Sequence, residues 1–247
     1  MLAAAALRLA AVEALCPHNA IQSGIGYPTL AEWRVYDSVQ IGVGDLVEGA
    51  PYTPAISLYT EDTRIERRGA TATSSIGNAS TDLVVVVELA ESARDEQGNP
   101  ISDNGSQVTD AVINGDPNMR LILEALSAQV RSVLVRAPHS AGLRRIMKSV
   151  QLVRIEPFAL PQFGIRFMRN VMTFSCDIAD DKFTDLDGLP EPLRTAAEEL
   201  PAGSYAKAKL EELSAAFQAT NRDALEAIGL IATANDAPAM PGSPTAP

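Results

Sequence analysis

A chain of 247 residues and 26.2 kDa with 46% hydrophobic residues can bury a sizeable core, while its mean hydropathy of +0.03 is that of a chain surrounded by water. Two cysteines and two histidines, widely scattered, do not make a zinc site, and a formal net charge of -11 argues against a chain that holds nucleic acid by its overall charge. The charge is also segregated: residues 1–130 carry 17 acids and 7 bases, residues 131–169 carry 8 bases and the single acid Glu156, and residues 170–247 carry 13 acids and 5 bases. Such blocks either scatter over a solvated surface or gather into a basic face that docks on an acidic face of another copy or a partner.

The first twenty residues, MLAAAALRLAAVEALCPHNA, have the composition of a signal peptide, but Arg8 and Glu13 interrupt the apolar run such a signal needs. Leu2 to Leu15 is expected to form an amphipathic, alanine-rich helix. No run reaches the roughly 18 apolar residues of a membrane span, so the expected setting is solution, with no membrane partner. Cys16 and Cys176 read as buried thiols of a reducing compartment.

Pro17 to Thr29, with Gly24, Gly26 and Pro28, reads as a loop, and the segment around Trp33, Val35 and Tyr36 is compatible with an extended strand. Pro54 to Arg67 alternates as a strand, Ile56 and Leu58 to one side, Ser57 and Tyr59 to the other. In LVVVVELA, Leu83 to Ala90, four consecutive valines indicate a strand covered on both faces at the centre of a sheet. Residues 92–116, rich in Asp, Gly and Asn, predict a long loop with a role at a contact surface or a mobile tip. Asp116-Pro117 then opens a helix to about Val135, its apolar positions Met119, Ile122, Leu123, Leu126, Val130, Val133 and Leu134 at helical spacing.

Two strands follow. Val150 to Phe158 turns at Pro161 to Gly164 into GIRFMRNVMTFSCDIADD, Gly164 to Asp181. There Met168, Met172, Phe174, Cys176 and Ile178 share the core side, with Asn170 the polar exception; Phe167, Arg169, Val171, Thr173 and Ser175 look outward. That mixed outward side marks a strand half covered by a neighbouring element or subunit, so Phe167, Arg169 and Val171 are the candidate subunit-interface residues. From Asp177 an acidic loop leads to helices expected at Pro192 to Leu200 and from Ser204 to about Ile231, then a Pro/Ala-rich tail suited to lie along a partner.

Several segments resemble catalytic or ligand motifs without completing them. Gly24-Ile25-Gly26 lacks both a leading strand and the third glycine of a dinucleotide fingerprint, since position 29 is Thr. FTDLDG places Asp185, Asp187 and Gly188 as a calcium loop would, but Phe183 stands at the first carboxylate position and Arg194 at the closing glutamate. Cys16 and His18 lack a third orienting group, and His139-Ser140 are adjacent, which seldom gives dyad geometry. No catalytic, cofactor-binding or metal-binding residue is therefore assigned, and no enzyme is expected.

The expected fold is α+β: a mostly antiparallel sheet with two helices packed on it, residues 1–180, followed by a helical C-terminal extension, residues 181–247. The order of LRLAAVEAL, TPAISLYTED, TDLVVVVELAES, MRLILEALSAQVRSVLV, VQLVRIEPFA and IRFMRNVMTFSCDI resembles the tail terminator, or tail completion, proteins of long-tailed bacteriophages over about residues 1–180. The resemblance implies a virion protein assembled in the host cytoplasm: a homo-hexameric ring that caps the head-proximal end of the tail tube, stops tube growth and meets the head connector. Its implied partners are the tail tube protein, the connector or stopper protein, and DNA passing through the lumen without sequence-specific contact. The extension after Asp180 departs from the family pattern, so no functional residues are carried over. A head-tail adaptor, stopper or minor tail protein, and in another class a small cytoplasmic ligand-binding protein or a hydrolase, are the alternatives.

Overall fold

The computed structural model describes residues 1–47, 50, 52–67, 77–92, 108–110, 117–136, 141–160, 165–182 and 189–218; within them the side chains at 43, 67, 77, 78, 92, 108–110, 141, 159, 160, 165–167 and 216–218 are not described. The elements in chain order are α1 (Leu2–Leu15), α2 (His18–Ser23), β1 (Val35–Asp37), β2 (Thr53–Arg67), β3 (Gly77–Ser92), β4 (Val108–Asp110), α3 (Pro117–Arg136), α4 (Ala141–Ile146), β5 (Met147–Leu160), β6 (Ile165–Ile178), α5 (Leu193–Glu199) and α6 (Tyr205–Gln218). The α+β class expected from the sequence is the class observed.

The sheet runs β1-β2-β3-β6-β5, with β4 adding to the end of β3. β1 is parallel to β2, and every other pairing is antiparallel. β3 sits at the centre because its valines tolerate burial on both sides: Val85 and Val87 face the helices fully buried, and Val84 on the opposite face is also buried.

The core lies between one face of this sheet and the helices. Ile56 and Leu58 of β2, Leu83, Val85 and Val87 of β3, and Met168, Met172, Phe174, Cys176 and Ile178 of β6 meet α1 and α3. The even-numbered side of β6 thus closes the core as its alternation predicts. Asn170, the polar residue on that side, is buried, and its side-chain amide donates to Ser127 Oγ at 3.0 Å. Ser127 in turn donates to the Leu123 carbonyl of α3 at 2.8 Å, so the pair ties helix to sheet.

α1 departs from expectation. It was predicted to be amphipathic, yet Ala3, Ala4, Ala6, Leu7, Leu9, Ala10, Ala11, Val12 and Leu15 are all buried, because α1 touches the sheet on one side and α3, α4, α5 and α6 on the others. A helix apolar around most of its circumference belongs in the interior, and alanine lets many elements approach it closely. Its N-terminus is capped from a distance: the amides of Leu2 and Ala3 donate to the Asp181 carboxylate at 2.9 and 2.7 Å, satisfying two of the free N–H groups of the first turn.

Two short helices lie where the sequence predicts none. α2 falls in the expected loop, opened by Pro17 and closed by Gly24 in the left-handed conformation at φ 70°. α4 joins α3 to β5. The helices α5 and α6 do appear after the acidic segment, but Leu193, Ala196, Leu200, Ala206 and Leu210 belong to the same buried cluster as α1. The expected boundary at residue 180 therefore separates no two cores among the described residues. The remainder of the predicted second helix, the Pro/Ala tail, Asp116, His139-Ser140, the Pro161–Gly164 turn, most of the 92–116 loop and the calcium-like segment at 183–188 lie outside the described residues.

Candidate functional site

The open face of the sheet is built from the strand positions that alternate away from the helices. Register places them in rows: Ser57, Val86, Val171 and Glu156; then Tyr59, Val84, Thr173 and Arg154; then Glu61, Asp82, Ser175 and Leu152. At one corner the chain after β1 folds back, and Tyr36, Ile41, Ala55 and Ala90 form a small second cluster with Leu46. Elsewhere on this face the described β6 side chains from Arg169 to Asp177 are each half-buried. That is the mixed, partly covered face the alternation of β6 predicts.

Of the three candidate interface residues, Val171 stands in the middle of this face, between Val86 and Glu156. Phe167 lies in β6, but its side chain is not described. Arg169 points to the open face as expected and is already committed there: its Nε donates to Glu88 Oε2 at 3.0 Å and its Nη2 donates to the same oxygen. Glu88 is only 1% exposed. The Arg169 guanidinium also lies over the Phe158 ring, 5.7 Å from its centroid. A buried carboxylate thus depends on this cation within one chain, so Arg169 serves the fold of the subunit itself.

The edges of the sheet carry the exposed apolar surface that sequence reasoning missed. β5 pairs with β6 on one side, and among the described residues no strand pairs with its other side. Leu152 and Ile155 are 53% and 42% exposed, and they lie on opposite faces, Leu152 beside Ser175 and Ile155 beside Met172. At the far edge β1 covers β2 only from Ile56 to Leu58. Beyond it Glu61 to Glu66 are exposed, including Ile65 at 53%. A period-two pattern detects which face is buried; it does not reveal which strand lacks a neighbour.

Part of the segregated charge falls on the two edges of the sheet. Arg131 and Arg136 of α3, Arg144 and Arg145 of α4, and Lys148 and Arg154 of the edge strand β5 are all exposed. Arg145 reaches Glu199 of α5 at 2.8 Å. Toward the sheet edge opposite β5, β2 presents Glu61, Asp62 and Glu66.

Two concavities lie among the described residues. A groove of about 360 Å³ on the open face is lined by Asp62, Arg64, Asp82, Gln151, Ser175 and Asp177. Hydrogen bonds from Ser149 and Gln151 hold the Asp177 carboxyl below the usual range. On the helix side, an apolar cleft of about 460 Å³ is lined by Pro17, Pro28, Val133, Leu143 and Leu200 and bordered by Glu13. Burial raises the Glu13 carboxyl, partly offset by the His18 amide that donates to it at 2.9 Å.

Among the described residues no group of three or more His, Cys, Asp or Glu is placed to hold a metal ion, and no helix is long and apolar enough to cross a membrane. Cys16 and Cys176 are buried free thiols, as expected. Burial pushes each up to about 12, with Glu13 adding to Cys16 and Asp82 to Cys176. A thiol so placed is protonated at neutral pH, so the Cys16 and His18 pairing supplies no activated nucleophile. Comparison with protein-family models and with curated proteins finds no match to this chain.

Proposed function

We propose that this chain is a structural virion subunit that assembles with copies of itself into a ring, caps the head-proximal end of a phage tail tube, ends tube growth and presents a surface to the head connector. One observation supports the reading: a sheet with exposed apolar side chains on an edge that no strand pairs with among the described residues, and opposite charges on its two edges, a surface suited to a subunit that joins others. The element order quoted above supports the tail terminator assignment, and the excess of acids is compatible with duplex DNA sliding past without adhering. In this reading the partners are five further copies, the tail tube protein and the connector or stopper protein, and the site of action is the neck of the virion.

The test is negative-stain microscopy of lysates from a phage with this gene disrupted, with a complemented control. Overlong tubes of variable length, detached from DNA-filled heads, are the expected result. Normal-length tails lying free beside filled heads would replace the terminator reading with that of a joining protein, and normal infectious particles would overturn both.

A further inference from the structure

We infer that the two opposite sides of the sheet are the two halves of one head-to-tail contact between copies of this chain, the β5 edge of one copy receiving the free half of β2, Tyr59 to Arg67, of the next. The inference rests on the preceding reading only in taking the chain to be a self-assembling subunit.

Three features select this occupant. First, Leu152 and Ile155 are exposed on opposite faces of the same edge strand. A partner lying flat on either face would cover one and leave the other wet; a partner meeting the edge covers both. Second, the free half of β2 offers a matching element: an edge without a strand neighbour among the described residues, with exposed Ile65 amid charged neighbours. Third, the charges are complementary. The β5 edge presents Lys148 and Arg154 against Glu156; the β2 edge presents Glu61, Asp62 and Glu66 against Arg64. A β5 edge facing another β5 edge, or β2 facing β2, sets like charges together, so the twofold alternatives are disfavoured.

Strand direction agrees. β2 and β6 run the same way, each antiparallel to β3, and β5 runs opposite to β6. In a copy that continues the sheet, β5 therefore meets the next β2 antiparallel. The edges are nevertheless blunted: the β5 register shifts between Met147 and Ser149, Val150 and Leu152, and Pro157 and Ala159, and β2 shifts between Glu61 and Arg64, with Asp62 at φ 45°. Bulges and a proline shorten any backbone ladder, leaving side chains to carry the contact. A contact joining different surfaces repeats until it closes, giving a ring if the rotation closes.

The test uses the full chain and light scattering coupled to size exclusion. Lys148→Glu with Arg154→Glu, and separately Glu61→Lys with Glu66→Lys, each weaken self-association by about tenfold or more, while circular dichroism and the melting temperature of each stay near those of the parent. Mixing the two variants restores assembly, because each acidic β5 edge now meets a basic β2 edge and the reverse contact is basic on acidic. In a β5 to β5 twofold contact the β2 variant, whose β5 edge is unchanged, would assemble alone without its partner variant, which overturns the inference. So does a chain that stays monomeric, or one whose assembly ignores both pairs. Leu152→Ser with Ile155→Ser is the second variant: both side chains are exposed, the fold survives, and loss of assembly is expected; unchanged assembly counts against the contact. Rescue by mixing, together with tails of normal length after gene disruption, would retain the contact and retire the terminator reading.

Discussion

Glu88 is the residue on the open face that the fold can least leave alone. It is a carboxylate at 1% exposure that pairs with Arg169. Breaking such a pair from one side costs about 3–5 kcal/mol, because the charge left behind has neither water nor partner. Arg169→Ala is accordingly expected to lower unfolding stability by about 3 kcal/mol in urea titration, and Arg169→Glu by more, whereas the double replacement Glu88→Leu with Arg169→Leu retains more stability than Arg169→Ala alone. A loss below about 1 kcal/mol for Arg169→Ala would show a pair that water already reaches. The outward direction of Arg169 is legible from alternation in β6. Its commitment is not, because Glu88 lies 81 positions away and only the β3 to β6 register brings the two together.

At the scale of elements, α1 shows what periodicity reads and what it misses. Its limits, Leu2 to Leu15, follow from a run of strong helix formers ended before Pro17. Its central position does not follow, since alanine suits a solvated face and a close helix packing equally. The anchoring of its N-terminus is equally hidden: Asp181 belongs to a segment that reads as solvated acid, yet it caps a helix 178 positions earlier. Asp181→Ala is expected to cost about 1 kcal/mol, as losing a side-chain N-cap does, with Asp181→Asn retaining part of it. Thermal unfolding of the two variants beside the parent checks this, and equal losses for both would mean that the carboxylate charge matters more than its acceptor geometry. α2 and α4, six residues each, are too short to repeat a helical period, although Pro17 and Gly24 bracket α2 with the ordinary start and stop signals. The valine run of β3, by contrast, announces its central place because no other position in a sheet rewards four consecutive apolar residues.

Across the whole molecule one core joins the N-terminal helix to the helices after the acidic segment, and the change in composition near Asp180 conceals that continuity. Tyr205 of α6 donates to Asp37 Oδ2 at 3.2 Å, and Arg8 of α1 pairs with the same carboxylate while its Nη1 donates to Thr60 of β2 at 3.1 Å. The network binds both ends of the described chain to the sheet. Burial raises the pKa of Tyr205, with Asp37 adding to it, and burial raises that of Tyr36, with Asp45 and Glu88 adding to it; the two buried thiols are pushed up to about 12. These four groups come from the end of α1, from β1, β6 and α6, so their titration is coupled to the integrity of the fold as a whole. The sign follows from proton uptake. Unfolded thiols lose their protons near pH 8.5 and unfolded phenols near pH 10, roughly, while the folded groups keep theirs. Stability is fully present below about pH 8 and falls as pH rises toward 12, because the unfolded state binds fewer protons over that range. The expected melting temperature is flat between about pH 6 and 8 and then declines, with Cys16→Ala reducing the slope above pH 9. Absorbance at 295 nm should show Tyr36 and Tyr205 ionising only as the circular dichroism signal is lost; smooth ionisation of all five tyrosines in the folded chain would mean that the core admits hydroxide and that its two ends are not held as one.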